Sequence, residues 1–300
     1  MFTPRTDLAI EAAAMATQNV ESPIEGVEQR EYTDGIVKVT KVKILNEKGE
    51  RAIGKARGNY ITIEYGTDKL HKDDSASKIQ SVFSKELLNL IEPHKHKVIF
   101  VVGLGNRFIT PDALGPNVSD AIDVNRHLSS GKNVLCAVSP GVLGITGIET
   151  GEIIEGISLK IKPDIIIAID ALASRSMERI CTTIQLADTG ITPGAGVGNK
   201  RKELSLRTMG VPVIAIGVPT VVDAATVAND SVDLLFEALG NKVNIDGSIF
   251  SDDNRYSLIR KILSPYFGEL IVTPSEIDSI IERVAGIIAG GINDMGHNLS

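Results

Sequence analysis

"VIFVVGLGNRFITPDALGP", residues 98–116, runs from an unbroken apolar stretch through closely spaced glycines to an aspartate that opens a helical pattern. Val98 to Val102 presents no polar face, the signature of a strand covered on both sides. Three further segments repeat it: VLCAVSP (134–140), IIIAIDALA (165–173) and VIAIGVP (213–219). Helical patterns fill the intervals, over 112–128, over 149–161 and from Asn199 to a closing Gly210. Strand and helix in alternation predict an α/β fold: a mostly parallel sheet with right-handed crossovers and helices on both faces.

Upstream the period changes. GIVKVTKVKILNEKG (35–49) and NYITIEY (59–65) alternate apolar with polar residues, and NEKGE between them reads as a turn. An N-terminal antiparallel β extension is therefore expected over about 20–66, ahead of an α/β core over 98–300. Downstream, 222–240, 257–267 and 274–292 have the three- and four-residue apolar spacing of amphipathic helices. The polar, turn-rich stretch 240–255 reads as a mobile loop.

With 300 residues, 43% hydrophobic and 23% charged, the chain can bury a sizeable core, and disordered or collagen-like classes drop out. A net charge of −7 argues against direct nucleic-acid binding, which needs a positive field, and favours a neutral or basic protein partner. The two cysteines, Cys136 and Cys181, lie in apolar segments without metal or redox spacing and read as buried thiols of a reducing compartment. Charges at Arg5, Asp7 and Glu11 interrupt any signal-peptide core, and no run is long enough to span a membrane. A cytoplasmic protein is expected.

In an open parallel sheet, ligands and catalytic groups collect beyond the carboxyl ends of the strands. That rule selects Asp112, after the first strand, and Asp170, at the end of the third. Asp112 also suits a helix cap. Asp170 follows five aliphatic residues, so its carboxylate meets a desolvating environment, and two neighbouring carboxylates with separated pKa values could supply the acid and base of an amide hydrolysis.

Other motifs fit their functional readings less well. The GLGN turn lacks the third glycine of a dinucleotide fingerprint, and GAGVGNKRK (194–202) lacks the spacing of a Walker loop. A nucleotide- or nucleoside-binding α/β enzyme nevertheless stays open as an alternative. Asp188-Thr189-Gly190 reproduces the tripeptide of pepsin-like proteases, but a single copy in an α/β chain reads as a turn. His94 and His96 fall away from the expected site edge. Asp123 and His127 have the i, i+4 spacing of a metal pair or of a surface ion pair. No metal or other cofactor is expected. There is no G-x-S-x-G elbow.

Taken together, GLGNRFITPDALGP, GITGIET, AIDALASRS, ADTGITPGAGVGNKRKELS and VIAIGVPTVVDA closely resemble the germination protease family of spore-forming bacteria, from RTDLAIEA near the start to VTPSEIDSIIE near the end. The resemblance implies an atypical aspartate-dependent endopeptidase, with Asp112 and Asp170 as the essential pair and small acid-soluble spore proteins as substrates. It implies a self-processing zymogen and a homotetramer in the cytoplasm of the developing and germinating spore, with no membrane partner. RTD/LAIEA resembles the family's cleavage sites, so the expected processing bond joins Asp7 to Leu8, leaving residues 1–7 as propeptide and 8–300 as one peptidase domain. The implied fold is similar to that of hydrogenase maturation peptidases, which hold metal, and a metal-dependent peptidase of that type is a second alternative. Backbone N–H groups around Gly141, Gly144, Gly196 and Gly198 are candidates to hold an oxyanion or substrate.

Overall fold

The computed structural model describes residues 6–17, 24–70, 72–91, 98–128, 133–193, 202–239, 252–267 and 270–298. Its strands are β1 (Val27–Asp34), β2 (Val37–Ile44), β3 (Gly58–Glu64), β4 (Val98–Gly103), β5 (Val134–Val138), β6 (Ile165–Ser174), β7 (Thr183–Ala187), β8 (Val213–Asp223) and β9 (Ile271–Val272). The helices are α1 (Ala9–Thr17), α2 (Glu47–Ile53), α3 (Thr67–Leu70), α4 (Asp73–Ile91), α5 (Leu114–Asp120), α6 (Leu143–Thr146), α7 (Thr150–Ile161), α8 (Leu206–Met209), α9 (Ala224–Leu239), α10 (Asp252–Phe267) and α11 (Ile277–Asn298).

One sheet contains every strand among the described residues, in the order β1-β2-β3-β7-β8-β6-β4-β5, with β9 beside β8. The four apolar runs form its parallel half, β8-β6-β4-β5. The antiparallel extension β1-β2-β3 is not a separate layer, because β7 runs antiparallel to both β3 and β8 and joins the halves edge to edge.

Successive side chains of a strand face opposite ways, and the central strands bury both sets. Ile99, Val101, Ile165, Ile167 and Ile169 share a core with Phe83 of α4, Leu114 of α5 and Ile288 of α11. Phe100, Val102, Ile166 and Ala168 pack on the other side with Ile154 of α7. On that second face Ala9, Ala12 and Ala13 of α1 meet Val42, Tyr60, Ala187 and Ala215. The expected α/β sheet with helices on both faces is what the chain builds.

Local details depart from the sequence reading. NEKGE is not a hairpin turn: Asn46 Oδ1 accepts from the N–H groups of Lys48 and Gly49 and caps α2, which ends at the left-handed Gly54. The helix expected over 112–128 stops at Asp120, because Asn125 draws the chain to the sheet, its amide bonding the Asn133 carbonyl and the Leu135 N–H. Asp123 and His127 therefore share no helix face, and residues 126–128 form a 3-10 turn. Of the helix expected from Asn199, only α8 forms among the described residues, since Leu204 pairs with Ile191 as a β-bridge. His94, His96 and most of the loop at 240–255 lie outside the described residues.

Candidate active site

Asp170 stands in β6 opposite Gly217 of β8, and Gly217 stands opposite Gln185 of β7. Residues paired in this way project from the same face, so Asp170 and Gln185 rise on either side of a glycine, two strand spacings or about 10 Å apart at Cα. Gly217 keeps the floor between them open. A Cβ there would come within 2.3 Å of Leu172 Cδ1. Asp170 is only 6% exposed, and its Oδ1 accepts from the N–H of Ala171 at 3.0 Å.

Asp112 reaches the same place from the loop after β4. Its Oδ2 accepts from Asn106 N–H at 2.8 Å, which folds the GLGN turn back over the aspartate. Gly105, at φ +109, would drive any Cβ to 2.1 Å from the Asp112 carbonyl oxygen, so the turn requires glycine. Asp112 precedes α5, but neither the 3-10 turn ending at Asp112 nor α5 has a side-chain cap. Asp112 and Asp170 line one cavity of about 480 Å³.

One residue near the start of the described chain reaches that cavity. Asp7 lines it, and is fixed to β6 twice: its N–H donates to the Ala173 carbonyl at 3.1 Å, and its Oδ2 accepts from Ala173 N–H at 2.9 Å. The Asp7 carbonyl oxygen accepts from Lys55 Nζ at 2.9 Å and from Gln185 Nε2 at 3.3 Å. Gln185 Oε1 accepts from Ala9 N–H at 2.6 Å, and Leu8 N–H donates to Thr6 Oγ1. Leu8 is buried with Ile10 against Leu172. The buried Glu11 carboxylate ties the start of α1 to the end of β6, accepting from the N–H groups of Arg175 and Ser176 and pairing with Arg179. The peptide bond between Asp7 and Leu8 is thus held from both sides, at the wall of the cavity that Asp112 and Asp170 also line.

Other candidates are placed differently. Val142 and Thr150 line the cavity. Gly141 stands just outside it, its carbonyl accepting from Thr150 Oγ1, and Gly144 lies within α6. Gly196 and Gly198 lie outside the described residues. Asp188 works as a brace, accepting from the backbone N–H and side-chain amide of Asn59 and fastening the end of β7 to β3. Lys55 and Gln185 had no signal in the parallel-sheet pattern, because both belong to its antiparallel half.

Burial pushes the Lys55 ammonium below its ordinary lysine range, an effect partly offset by the charges of Asp7 and Glu11. Burial also pushes the Cys181 thiol up to about 12, and raises Cys136 against the opposing pull of Arg126. Neither thiol has the electropositive setting of a nucleophile. At pH 8, iodoacetamide is expected to label both more than about tenfold slower than an exposed cysteine peptide, and at the peptide's rate once the chain is unfolded in guanidinium. Fast labelling of folded protein, read by intact mass, would contradict this.

The family model for germination protease matches residues 5–251 and 243–299. A germination protease of Clostridium tetani is 48% identical over 303 residues, covering 96% of this chain and 94% of the relative. One from Geobacillus sp. strain WCH70 is 41% identical, covering 99% of this chain and 94% of the relative. Among solved structures, a NiFe hydrogenase maturation protease from Thermococcus kodakarensis KOD1 aligns with 69% of this chain and 98% of its own, at 19% identity and a TM-score of 0.37.

Proposed function

Because the chain belongs to the germination protease family, and is therefore a protease, we propose that it is an aspartate-pair endopeptidase that first cuts its own Asp7–Leu8 bond and then degrades small acid-soluble spore proteins. The observation that carries this reading is that Asp7, Asp112 and Asp170 line the same cavity. In the proposed reaction one carboxylate, ionised, takes a proton from a water whose oxygen attacks the Asp7 carbonyl carbon. The other, protonated, gives its proton to the Leu8 nitrogen as the C–N bond breaks. The products are a carboxylate at Asp7 and a free amine at Leu8.

The position of Asp7 at the cavity wall supports a latent state, since it takes up space beside the two aspartates that a substrate would use. Removal of residues 1–7 is the proposed activating step. The resemblance to the family further supports a homotetramer in the cytoplasm of the developing and germinating spore. No helix among the described residues is long and apolar enough to cross a membrane.

The test incubates chain beginning at Leu8 with a small acid-soluble spore protein in the presence of a chelator, and reads the masses of the products. Discrete cuts after acidic residues are expected. Cleavage that appears only when divalent metal is restored would replace the mechanism by a metal-dependent one, and absence of cleavage in both conditions would remove the substrate assignment.

A further inference from the structure

We propose that Lys55 and Gln185 are catalytic residues that bind the oxyanion of this protease, holding through Nζ and Nε2 the carbonyl oxygen of the residue that precedes the cleaved bond. The inference rests on reading Asp7–Leu8 as a bond the site cuts, and adds to the aspartate pair the groups that receive the charge it creates.

Both donors converge on one atom, the Asp7 carbonyl oxygen, at 2.9 and 3.3 Å. Gln185 does more than donate. Its Oε1 accepts from Ala9 N–H at 2.6 Å, so one primary amide spans the Asp7–Leu8 peptide, gripping the acyl side by its carbonyl and the amine side one residue further on. Those neighbours fix which end of the amide is which, because a carbonyl accepts and an N–H donates. Across Gly217 from Gln185 stands Asp170, on the same face of the sheet. A water activated there approaches the carbonyl carbon from the β6 side while its oxygen rests against β7 and Lys55.

When that water adds, the carbonyl π electrons move onto oxygen and the oxygen becomes an anion. It then needs donors more than the neutral carbonyl did. The 3.3 Å contact from Gln185 is long for a hydrogen bond and has room to shorten as charge develops, which is the differential binding that lowers a barrier. Lys55 contributes its Nζ donor from a half-buried position, and the charge it carries when protonated counts for more there than in water. When the C–N bond breaks the electrons return, the carbonyl re-forms as a carboxylate, and the contacts relax.

Lys55 owes its place to its surroundings. Asn46 caps α2, Gly54 ends it in the left-handed region, and the next residue is Lys55, directed into the cavity. A merely solvated lysine would not be drawn to a backbone carbonyl inside the site.

The test follows the first-order conversion of full-length chain to chain beginning at Leu8, by intact mass, in wild type, Lys55→Met, Lys55→Arg and Gln185→Glu. Gln185→Glu keeps the size of the side chain and the acceptor for Ala9 while removing the donor. Lys55→Met and Gln185→Glu are each expected to slow conversion by about 100-fold or more, the usual loss of one oxyanion donor, and Lys55→Arg to stay within about tenfold of wild type. Should Lys55→Met fail to fold, judged by its circular dichroism, Gln185→Glu decides the matter. Folded Lys55→Met or Gln185→Glu converting within about threefold of wild type, with Asp170→Asn inactive, would overturn the inference and leave the aspartate pair standing. Wild type that leaves Asp7–Leu8 intact, or Asp170→Asn that cuts it at the wild-type rate, would overturn both.

Discussion

Asp170→Asn is expected to slow self-processing by about a thousandfold or more while the protein folds normally. The substitution changes no heavy-atom shape, and Asn Oδ1 can still accept from Ala171 N–H as Asp170 Oδ1 does. What it removes is the ability to bind and release a proton. Asp170 is 6% exposed, so no bulk base can approach to replace it. General acid–base catalysis by one positioned group contributes about 10²–10⁴ in rate, and a pair acting as a unit loses nearly everything when either member goes. Asp112→Asn should therefore fall to the same floor, and the double variant should be no slower than either single one. The floor is read by intact mass over days, beside thermal midpoints within a few degrees of wild type. A residual rate within about tenfold of wild type would place the chemistry on other residues.

The second large effect is expected from a substitution that touches neither carboxylate. A Cβ at Gly115 would fall 2.2 Å from the Leu104 carbonyl oxygen, 2.5 Å from its nitrogen and 2.7 Å from the Ile169 carbonyl oxygen. All three are backbone atoms and cannot swing aside. Gly103 faces the same contact from below, with a Cβ only 2.1 Å from the Gly115 carbonyl oxygen. Here the α5 backbone at Gly115 lies directly against the backbone of Gly103, Leu104 and Ile169, and this close approach sets the height of Asp112, three residues earlier, beside the strand that carries Asp170. Gly115→Ala must lift the helix by roughly an ångström. Overpacking of this kind costs about 1–3 kcal/mol, and misplacing a reacting group by about 1 Å can cost about 100-fold in rate. The expected result is a lower denaturant midpoint together with processing slowed by about that factor. Wild-type processing in Gly115→Ala would mean that Asp112 does not depend on the seat of α5.

Asp112 and Asp170 were legible because the parallel half of the sheet announces itself. Ile165 to Ile169 can only be a strand covered on both faces, and chemistry is then to be sought at its carboxyl end. Lys55 and Gln185 gave no such signal. β7 is five residues long, and its polar Thr183 and Gln185 hide a strand that is buried throughout. Only its tertiary position, antiparallel between β3 and β8, brings Gln185 opposite Gly217. Lys55 comes just after a segment read as a hairpin turn, and the difference between that turn and a capped helix rests on the Asn46 side chain bonding two backbone N–H groups. The overlong helix after Asp112 has a similar cause, since Asn125 bonds to residues beyond the end of its own periodic segment. Such contacts, made across the chain, are invisible to local pattern.

The bonds that hold Asp7 join residues far apart in synthesis. Ala173 lies 166 positions after Asp7, Gln185 lies 178 after it, and Gly217 is later still. A nascent chain therefore carries the proposed cleavage site well before the residues that hold it have been made. Only when β8 has left the ribosome and docked between β6 and β7 does the floor of the site exist. Long-range pairing of this kind forms late and slowly, so folding itself acts as a clock, and on the proposed reading the Asp7–Leu8 bond stays intact until the sheet has assembled.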